Sequence, residues 1–322
     1  MNLQFKILIL IALMFSILYG IIAGVGAYLG AGSINTYLIL AIGITFFQYL
    51  IGPSLVSAMM KIKWVNETEE PELHKIVEEL ADKAGIPKPK IGISQMAIPN
   101  AFAFGRTLKD SRVCITLGIR NLLNEEELKA VLGHEIAHVK HRDMILITVL
   151  SVIPLVLYWI AWRMMWGNMF RRRENGGASA LIGLAAFAMY FITNLLVLYG
   201  SRIREYYADQ GSVQLGNSPH QLASALYKLV YSSAHFKGNK KGVQELREVE
   251  GLRAFFLNDV AKADQDIKEL KELDKNLSGS IEEKELNELR DKQIEISQSE
   301  KIMELFTTHP NMLKRIKALS AL

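Results

Sequence analysis

The chain has 322 residues, enough for one or two domains, with 50% hydrophobic composition, 22% charged residues and a mean hydropathy of +0.16. A positive mean beside that many charges implies very apolar segments alternating with very polar ones. The net charge of +4 is mild and no Lys/Arg run with interleaved aromatics offers a nucleic-acid groove, while Cys114, the single cysteine, excludes an internal disulfide framework and is compatible with a reducing, cytosol-facing soluble part.

Residues 7–29, "ILILIALMFSILYGIIAGVGAYL", carry no charge and are long enough to span a hydrocarbon core. Residues 34–60 repeat the pattern and end at Lys61 and Lys63. A signal peptide would have a shorter apolar core and a cleavage site, so residues 1–63 read as a transmembrane hairpin. Residues 64–143 read as mixed α and β. A helix is predicted over 70–84, stopped by Gly85 and Pro87, with short strands at 89–94, 101–105 and 112–117. Then comes "NEEELKAVLGHEIAHVKH". Asn124 is a good N-cap, Glu127 sits at N3, and three glutamates occupy the positive start of a helix.

Residues 144–200 hold two further apolar segments, at 144–166 and 178–200, separated by "RRRENGG". They read as a second hairpin, transmembrane or re-entrant. Residues 201–322 read as helical, with a charged stretch at 237–300. The plain reading of that stretch is helices with one solvated face, and a regulatory or partner-binding arm is the alternative. The residues assign it no role.

On the predicted helix, His134 and His138 lie four apart, on one face, and can aim two imidazoles at one ion. Glu135 sits about 100° around the helix, near such an ion without being aimed at it, which suits a base rather than a ligand. A His-acid-any-any-His pattern arises by chance roughly 0.02 to 0.05 times in a chain of this composition. Leu132, Ile136, Ala137 and Val139 make the helix apolar enough to be buried, where two histidines and a glutamate need partners. A catalytic zinc site takes a third protein ligand. "SRIREYYAD" offers Glu205 as that ligand, with Asp209 four residues on to hold a ligand histidine in one tautomer.

HEIAH, then a hydrophobic hairpin, then Glu-x-x-x-Asp on a helix resembles the HtpX-like membrane zinc metallopeptidases, relatives of the CaaX prenyl proteases. The resemblance extends to "NAFAFG" at 100–105 and "ELFTTHPNMLKRIKAL" at 304–319. It implies His134, His138 and Glu205 as ligands of one zinc ion and Glu135 as the general base acting on zinc-bound water. It also implies an edge at Asn100, Ala101 and Phe102 beside the cleft, where a substrate pairs in extended form. Phe104 departs from the family pattern, which has a small polar residue before the glycine, so substrate preference is expected to differ. His309 and Arg315 match the closing motif and are candidates for holding the oxyanion or substrate carbonyls.

The fold expected is therefore a mainly α integral membrane protein, with four apolar helices and a zincin-type helical catalytic domain carrying a small β element. The function expected is a zinc endopeptidase acting on membrane or misfolded polypeptides in quality control. A CaaX-type processing peptidase and an inactive zinc-stabilised scaffold are the alternatives. Shared ligation puts His138 and Glu205 on one side of the membrane, with Lys6, Lys61, Lys63, Lys140, Arg142, Arg202 and Arg204. Only Arg171, Arg172 and Arg173, with Arg163 if it is unburied, fall opposite. The positive-inside rule then places the catalytic part in the cytoplasm and the protein in the plasma membrane, with the arginine loop in conflict.

Overall fold

The computed structural model describes residues 34–143, 176–237 and 256–322, except 259–261, 272, 277 and 293–297, together with scattered positions in 9–17 and 157–161. The expected apolar segments at 7–29 and 144–166, and much of the charged stretch, lie outside those residues. Two compact units are present: Met1–Ile51 with Leu146–Gly200, and Gly52–Ile145 with Ser201–Leu322.

The first unit takes most of α1 (Ile34–Met59) and the first part of α5 (Gly176–Gln214). Helix α5 continues without a break past residue 200, so the apolar segment and the "REYYAD" stretch are one 39-residue helix. Among the described residues, one helix is long and apolar enough to cross a membrane, over Leu181–Gln214. Only 17% of its most apolar window is buried, and Leu181, Leu184, Phe187 and Phe191 stand exposed. Phe46 and Phe47 of α1 do the same.

The second unit holds the four-stranded sheet, in the order β1-β2-β4-β3. The strands are β1 (Ile62–Trp64), β2 (Lys90–Ser94), β3 (Ala101–Gly105) and β4 (Ser111–Thr116). Strands β2 and β4 run parallel, with Ile91 opposite Val113, while β1 and β3 pair antiparallel on either side. Strand β1 is not visible in the sequence. Lys61 adopts φ 48 and turns the chain from the end of α1 into three residues too few to show a period.

Along β3 the side chains alternate between two cores, as a pleated strand requires. Ala101 joins the main core, with Ala103 packed against it, whereas Phe102 and Phe104 enter a second one with Met60, Met96, Ile98 and Cys114. The Phe102 and Phe104 rings stack 5.8 Å apart. The departure from the family pattern at Phe104 therefore acts on packing, for the ring is 2% exposed.

Helix α2 (Pro71–Ala84) begins with proline in its first turn and ends on Gly85 at φ 69, as its sequence predicts. After the short α3 (Leu117–Leu122), α4 (Glu125–His141) starts with the capping box: Asn124 Oδ1 accepts from Glu127 N at 2.8 Å, and Glu127 Oε2 accepts from Asn124 N at 3.0 Å. Glu127 is 1% exposed and its charge is met by Lys228 Nζ at 2.7 Å, with Ser224 Oγ donating to it, both on α6 (Pro219–Lys237). The cap thus also fastens α4 to α6. The remaining helices are α7 (Ala263–Leu270), α8 (Glu283–Arg290), α9 (Gln298–Glu304) and α10 (Met312–Leu319).

What lets α4 and α5 approach is the absence of side chains where they cross. A Cβ on Gly133 would lie 2.2 Å from Asn217 Nδ2 and 2.7 Å from Ser212 Oγ; one on Gly211 would lie 2.5 Å from Ala137 Cβ. Through that gap Ser212 Oγ donates to the Ala130 carbonyl at 2.6 Å. The close crossing brings the third turn of α4 level with Glu205 and Asp209 on α5.

Candidate metal centre

His134 and Glu135 are 0% and 4% exposed. Glu205 and Asp209, one turn apart on α5, are equally buried, at 6% and 2%. His134, His138 and Glu205 offer ligand atoms that all lie within 4.8 Å of one another. The ring nitrogens His134 Nε2 and His138 Nε2 are 3.1 Å apart, and Glu205 oxygens lie 3.6 and 3.5 Å from them. Donors around a tetrahedral ion bonded at ~2.0–2.1 Å would be about 3.3–3.4 Å apart, so the three residues fit such an ion.

The other ring nitrogens explain why these two face each other. His138 Nδ1 is 2.7 Å from Asp143 Oδ2, and His134 Nδ1 is 2.8 Å from Asp209 Oδ1, the latter off the direction of the ring N–H. The Asp143 carboxylate holds the His138 proton on Nδ1, and the negative charge of Asp209 beside His134 Nδ1 favours the proton on that nitrogen, which leaves lone pairs on both Nε2 atoms. Two lone pairs 3.1 Å apart repel unless a positive charge lies between them. Burial pulls the His138 pKa down, but Asp143 and Glu205 outweigh it and raise it to about 10. The same contest, with Asp209 and Glu205 on the winning side, raises His134. The carboxylates demand a cation, and either protons or a metal ion can satisfy them.

Glu205 Oε2 also lies 3.0 Å from Arg315 Nη1 and 3.3 Å from His309 Nδ1, neither in hydrogen-bond alignment. Arg315 is 0% exposed. Its Nε and Nη2 grip Asp209 at 2.9 and 2.7 Å, and its Nη1 donates to the Leu257 carbonyl at 2.9 Å. His309 is carried beside Glu205 by a short chain of bonds. Arg202 Nη1, on α5, donates to the carbonyls of Leu305 and Thr307 at 3.2 and 2.8 Å, and Thr307 Oγ1 donates to the His309 carbonyl at 2.8 Å. Neither His309 ring nitrogen has a hydrogen-bond partner.

Glu135 points from the same helical turn toward β3. Burial raises its pKa; the neighbouring His138 and His134 and the Ala103 backbone N–H oppose that rise. Because β3 is an edge of the sheet, Ala103 turns this N–H to the unpaired side. Asn100 sits just before the strand, where its Oδ1 accepts from Leu257 N at 3.0 Å. The segment at 257 is thereby fixed from two sides, by Asn100 and by Arg315.

Of the residues expected from sequence, His134, Glu135, His138, Glu205, Asp209, His309 and Arg315 meet in one cluster. Asn100, Ala101 and Phe102 lie on and before the edge strand, with the Phe102 side chain turned away into the second core. Asp143 escaped sequence reasoning. It follows the helix end, where Arg142 at φ 60 turns the chain back so that Asp143 reaches His138, and its carbonyl is held by Arg204 Nη1 at 3.0 Å. An aspartate five residues past the second histidine, just beyond a helix stop, was the available signal.

The family model described as Peptidase family M48 matches residues 67–322. A Protease HtpX homolog from Methanothermobacter thermautotrophicus is 52% identical over 229 residues, covering 71% of this chain and 86% of that one. The Protease HtpX homolog 2 of Methanosarcina mazei is 33% identical over 291 residues, 89% of this chain and 85% of that one. The crystal structure of S. mikatae Ste24p overlays with a TM-score of 0.49 at 17% identity, over 96% of this chain and 62% of that one. At that level the overlay adds nothing to the assignment.

Proposed function

The chain belongs to peptidase family M48 and is a metalloprotease, and from that premise we propose that it is a zinc endopeptidase whose centre is His134, His138 and Glu205, with Glu135 as general base. The observation that carries the reading is the pair of Nε2 atoms 3.1 Å apart, each ring held from behind by a carboxylate. Borderline zinc suits two imidazoles and one carboxylate, with a coordination position left open. When bound, the ion polarises the scissile carbonyl and acidifies water.

The protein residues do the rest. Glu135, with a pKa raised by burial, takes the proton of the attacking water and passes it to the leaving amine nitrogen. Asp143 and Asp209 hold the ligand rings in one tautomer and orientation. Arg315 has its nitrogens committed to Asp209, Glu205 and Leu257, so it positions the ligands and does not touch substrate. His309, with Nδ1 3.3 Å from Glu205 and no hydrogen bond at Nε2, is the group placed to stabilise the oxyanion. An extended polypeptide pairs with the open edge of β3, where Ala103 N–H and Glu135 meet.

The exposed apolar faces of α1 and α5 support insertion in a bilayer. The four apolar segments of the sequence support four spans, the flanking charges support a cytoplasmic catalytic unit, and the family resemblance supports substrates that are membrane or misfolded proteins. Purified full-length chain in detergent, assayed on casein with zinc quantified, tests the reading. Activity should vanish with a chelator and return with zinc. Undiminished cleavage by zinc-free protein would sink the proposal.

A further inference from the structure

The charged stretch left without a role contains "DKNLSGSIEEKE", residues 274–285, between helices α7 and α8. We propose that this loop is a calcium site of the EF-hand type, separate from the zinc centre. A calcium loop of that kind takes oxygens from positions 1, 3, 5, 7, 9 and 12 of twelve residues and needs glycine at 6 for a sharp turn. Those positions here are Asp274, Asn276, Ser278, Ser280, Glu282 and Glu285, and the sixth is Gly279. One position departs from the commonest pattern: Ser278 brings a hydroxyl where aspartate or asparagine is usual.

The structure supplies what the pattern requires. Gly279 has φ +78, which glycine adopts without strain. The loop is flanked by helices whose apolar faces reach the main core through Leu270, Leu286 and Leu289, while Ile281 of the loop itself is 2% exposed. Several of the oxygen-bearing side chains already bond to one another or to the loop backbone. Asn276 Nδ2 donates to Glu282 Oε1 at 2.9 Å, the hydroxyls of Ser278 and Ser280 meet at 3.1 Å, and Glu285 folds back to accept from Lys275 N at 2.8 Å.

A separate observation asks for the cation. Asp274, the first position, is 3% exposed. Its oxygens accept from Ser278 N and Gly279 N, both at 2.8 Å, and from Tyr227 Oη at 3.0 Å. All of these donors are neutral, and among the described residues no Lys, Arg or His nitrogen forms an ion pair with it. A buried carboxylate with no counter-charge is costly, and a divalent cation in the loop removes that cost. Hard oxygen donors with flexible spacing select calcium over zinc or magnesium. Tyr227 lies on α6, the helix that Glu127 fastens to α4, so the loop is packed into the catalytic unit and is no loose appendage.

The test is calcium titration calorimetry on the full-length, zinc-loaded chain in detergent, with magnesium as control and folding followed by circular dichroism. One calcium per chain should bind, with a dissociation constant within the ~10⁻⁷–10⁻³ M span of such loops and weaker magnesium binding. Glu285→Gln keeps an amide able to cap α8 but loses the charged bidentate ligand; it should weaken calcium by at least about tenfold. Asp274→Asn, nearly isosteric, should do likewise. Absence of saturable calcium uptake by the folded wild-type chain, or equal affinity in folded Glu285→Gln protein, overturns the proposal. Neither readout depends on peptidase activity, so the zinc-centre reading stands or falls separately.

Discussion

Arg315 grips Asp209 with two nitrogens, Nε 2.9 Å from Oδ2 and Nη2 2.7 Å from Oδ1, and Asp209 in turn stands 2.8 Å from His134 Nδ1. A residue on α10 thus fixes His134 on α4 through a carboxylate on α5. Arg315→Lys keeps the charge but not the planar fork, so the Asp209 carboxylate is free to swing. Zinc affinity should fall roughly 10–100-fold, read by competition with a chelator. Arg315→Ala removes the one guanidinium that faces both buried carboxylates, Asp209 and Glu205, and should cost about 3–5 kcal/mol of stability, read as a lowered Tm. Wild-type zinc affinity in folded Arg315→Lys protein would contradict the chain of contacts.

Asp143 makes the equivalent contact on the other ring, 2.7 Å from His138 Nδ1. Asp143→Asn should weaken zinc by ~10–100-fold, and Asp209→Ala by a similar factor, with casein cleavage recovering at raised zinc. Glu205→Ala removes the proposed third ligand outright and should leave folded protein without stoichiometric zinc. Metal analysis after gel filtration orders the three. If Glu205→Ala keeps its zinc, the third ligand lies elsewhere.

Glu135→Gln separates chemistry from metal binding. The carboxylate is beside the ligands but is not among the atoms within 4.8 Å of one another. The variant should therefore retain zinc and lose proteolysis, by the ~10²–10⁴-fold that a general base contributes or more. Substantial turnover by pure Glu135→Gln protein would remove the assigned base.

Local signals explain which parts of this were legible. The capping box at Asn124 and Glu127, the stop at Gly85 and the same-face histidines are set by neighbours within five residues, and the sequence displays them directly. Strands β2, β3 and β4 were visible as short apolar runs, while β1 was too short. The clamp of Arg315 on Asp209 joins residues 106 apart, and no periodicity reports such a pair. Asp143 reaches His138 only because Arg142 takes a left-handed conformation, which its side chain does not advertise. Residues 274–285 were hidden differently: their charges matched a solvated helix face, and the glycine turn between α7 and α8 is what separates the two readings.

The crossing of α4 and α5 gives a prediction away from the chemistry. Gly133→Ala places a methyl 2.2 Å from Asn217 Nδ2, and Gly211→Ala places one 2.5 Å from Ala137 Cβ. The first clash is with a movable side-chain end, the second with a methyl group rigidly tied to the helix backbone. Each substitution should destabilise by about 1–3 kcal/mol, with Gly211→Ala the larger. Because the crossing sets the distance from Glu205 to the histidines, zinc affinity should fall with stability in Gly211→Ala. A Gly211→Ala protein with unchanged Tm and zinc affinity would show that the helices do not depend on this contact.

The proposed membrane sidedness rests on two arguments that meet at the metal centre. If His138 and Glu205 bind one ion, the ends of the 144–200 hairpin lie on one side, and seven flanking basic residues against three or four make that side cytoplasmic. Cys114 is 0% exposed, and burial raises its thiol pKa, so the native cysteine should give little background with thiol reagents in folded protein. Pro87→Cys and Glu283→Cys, both at exposed positions of the catalytic unit, should resist an impermeant reagent in intact cells and react after permeabilisation. Asn175→Cys, beside the three arginines, reports on the hairpin itself. Labelling there from outside means that both of its segments span. Protection there, with the other two sites still cytoplasmic, means a re-entrant hairpin and removes the conflict with the arginine loop. Labelling of Pro87→Cys in intact cells reverses the orientation, and the proposed role in cytoplasmic quality control then loses its basis.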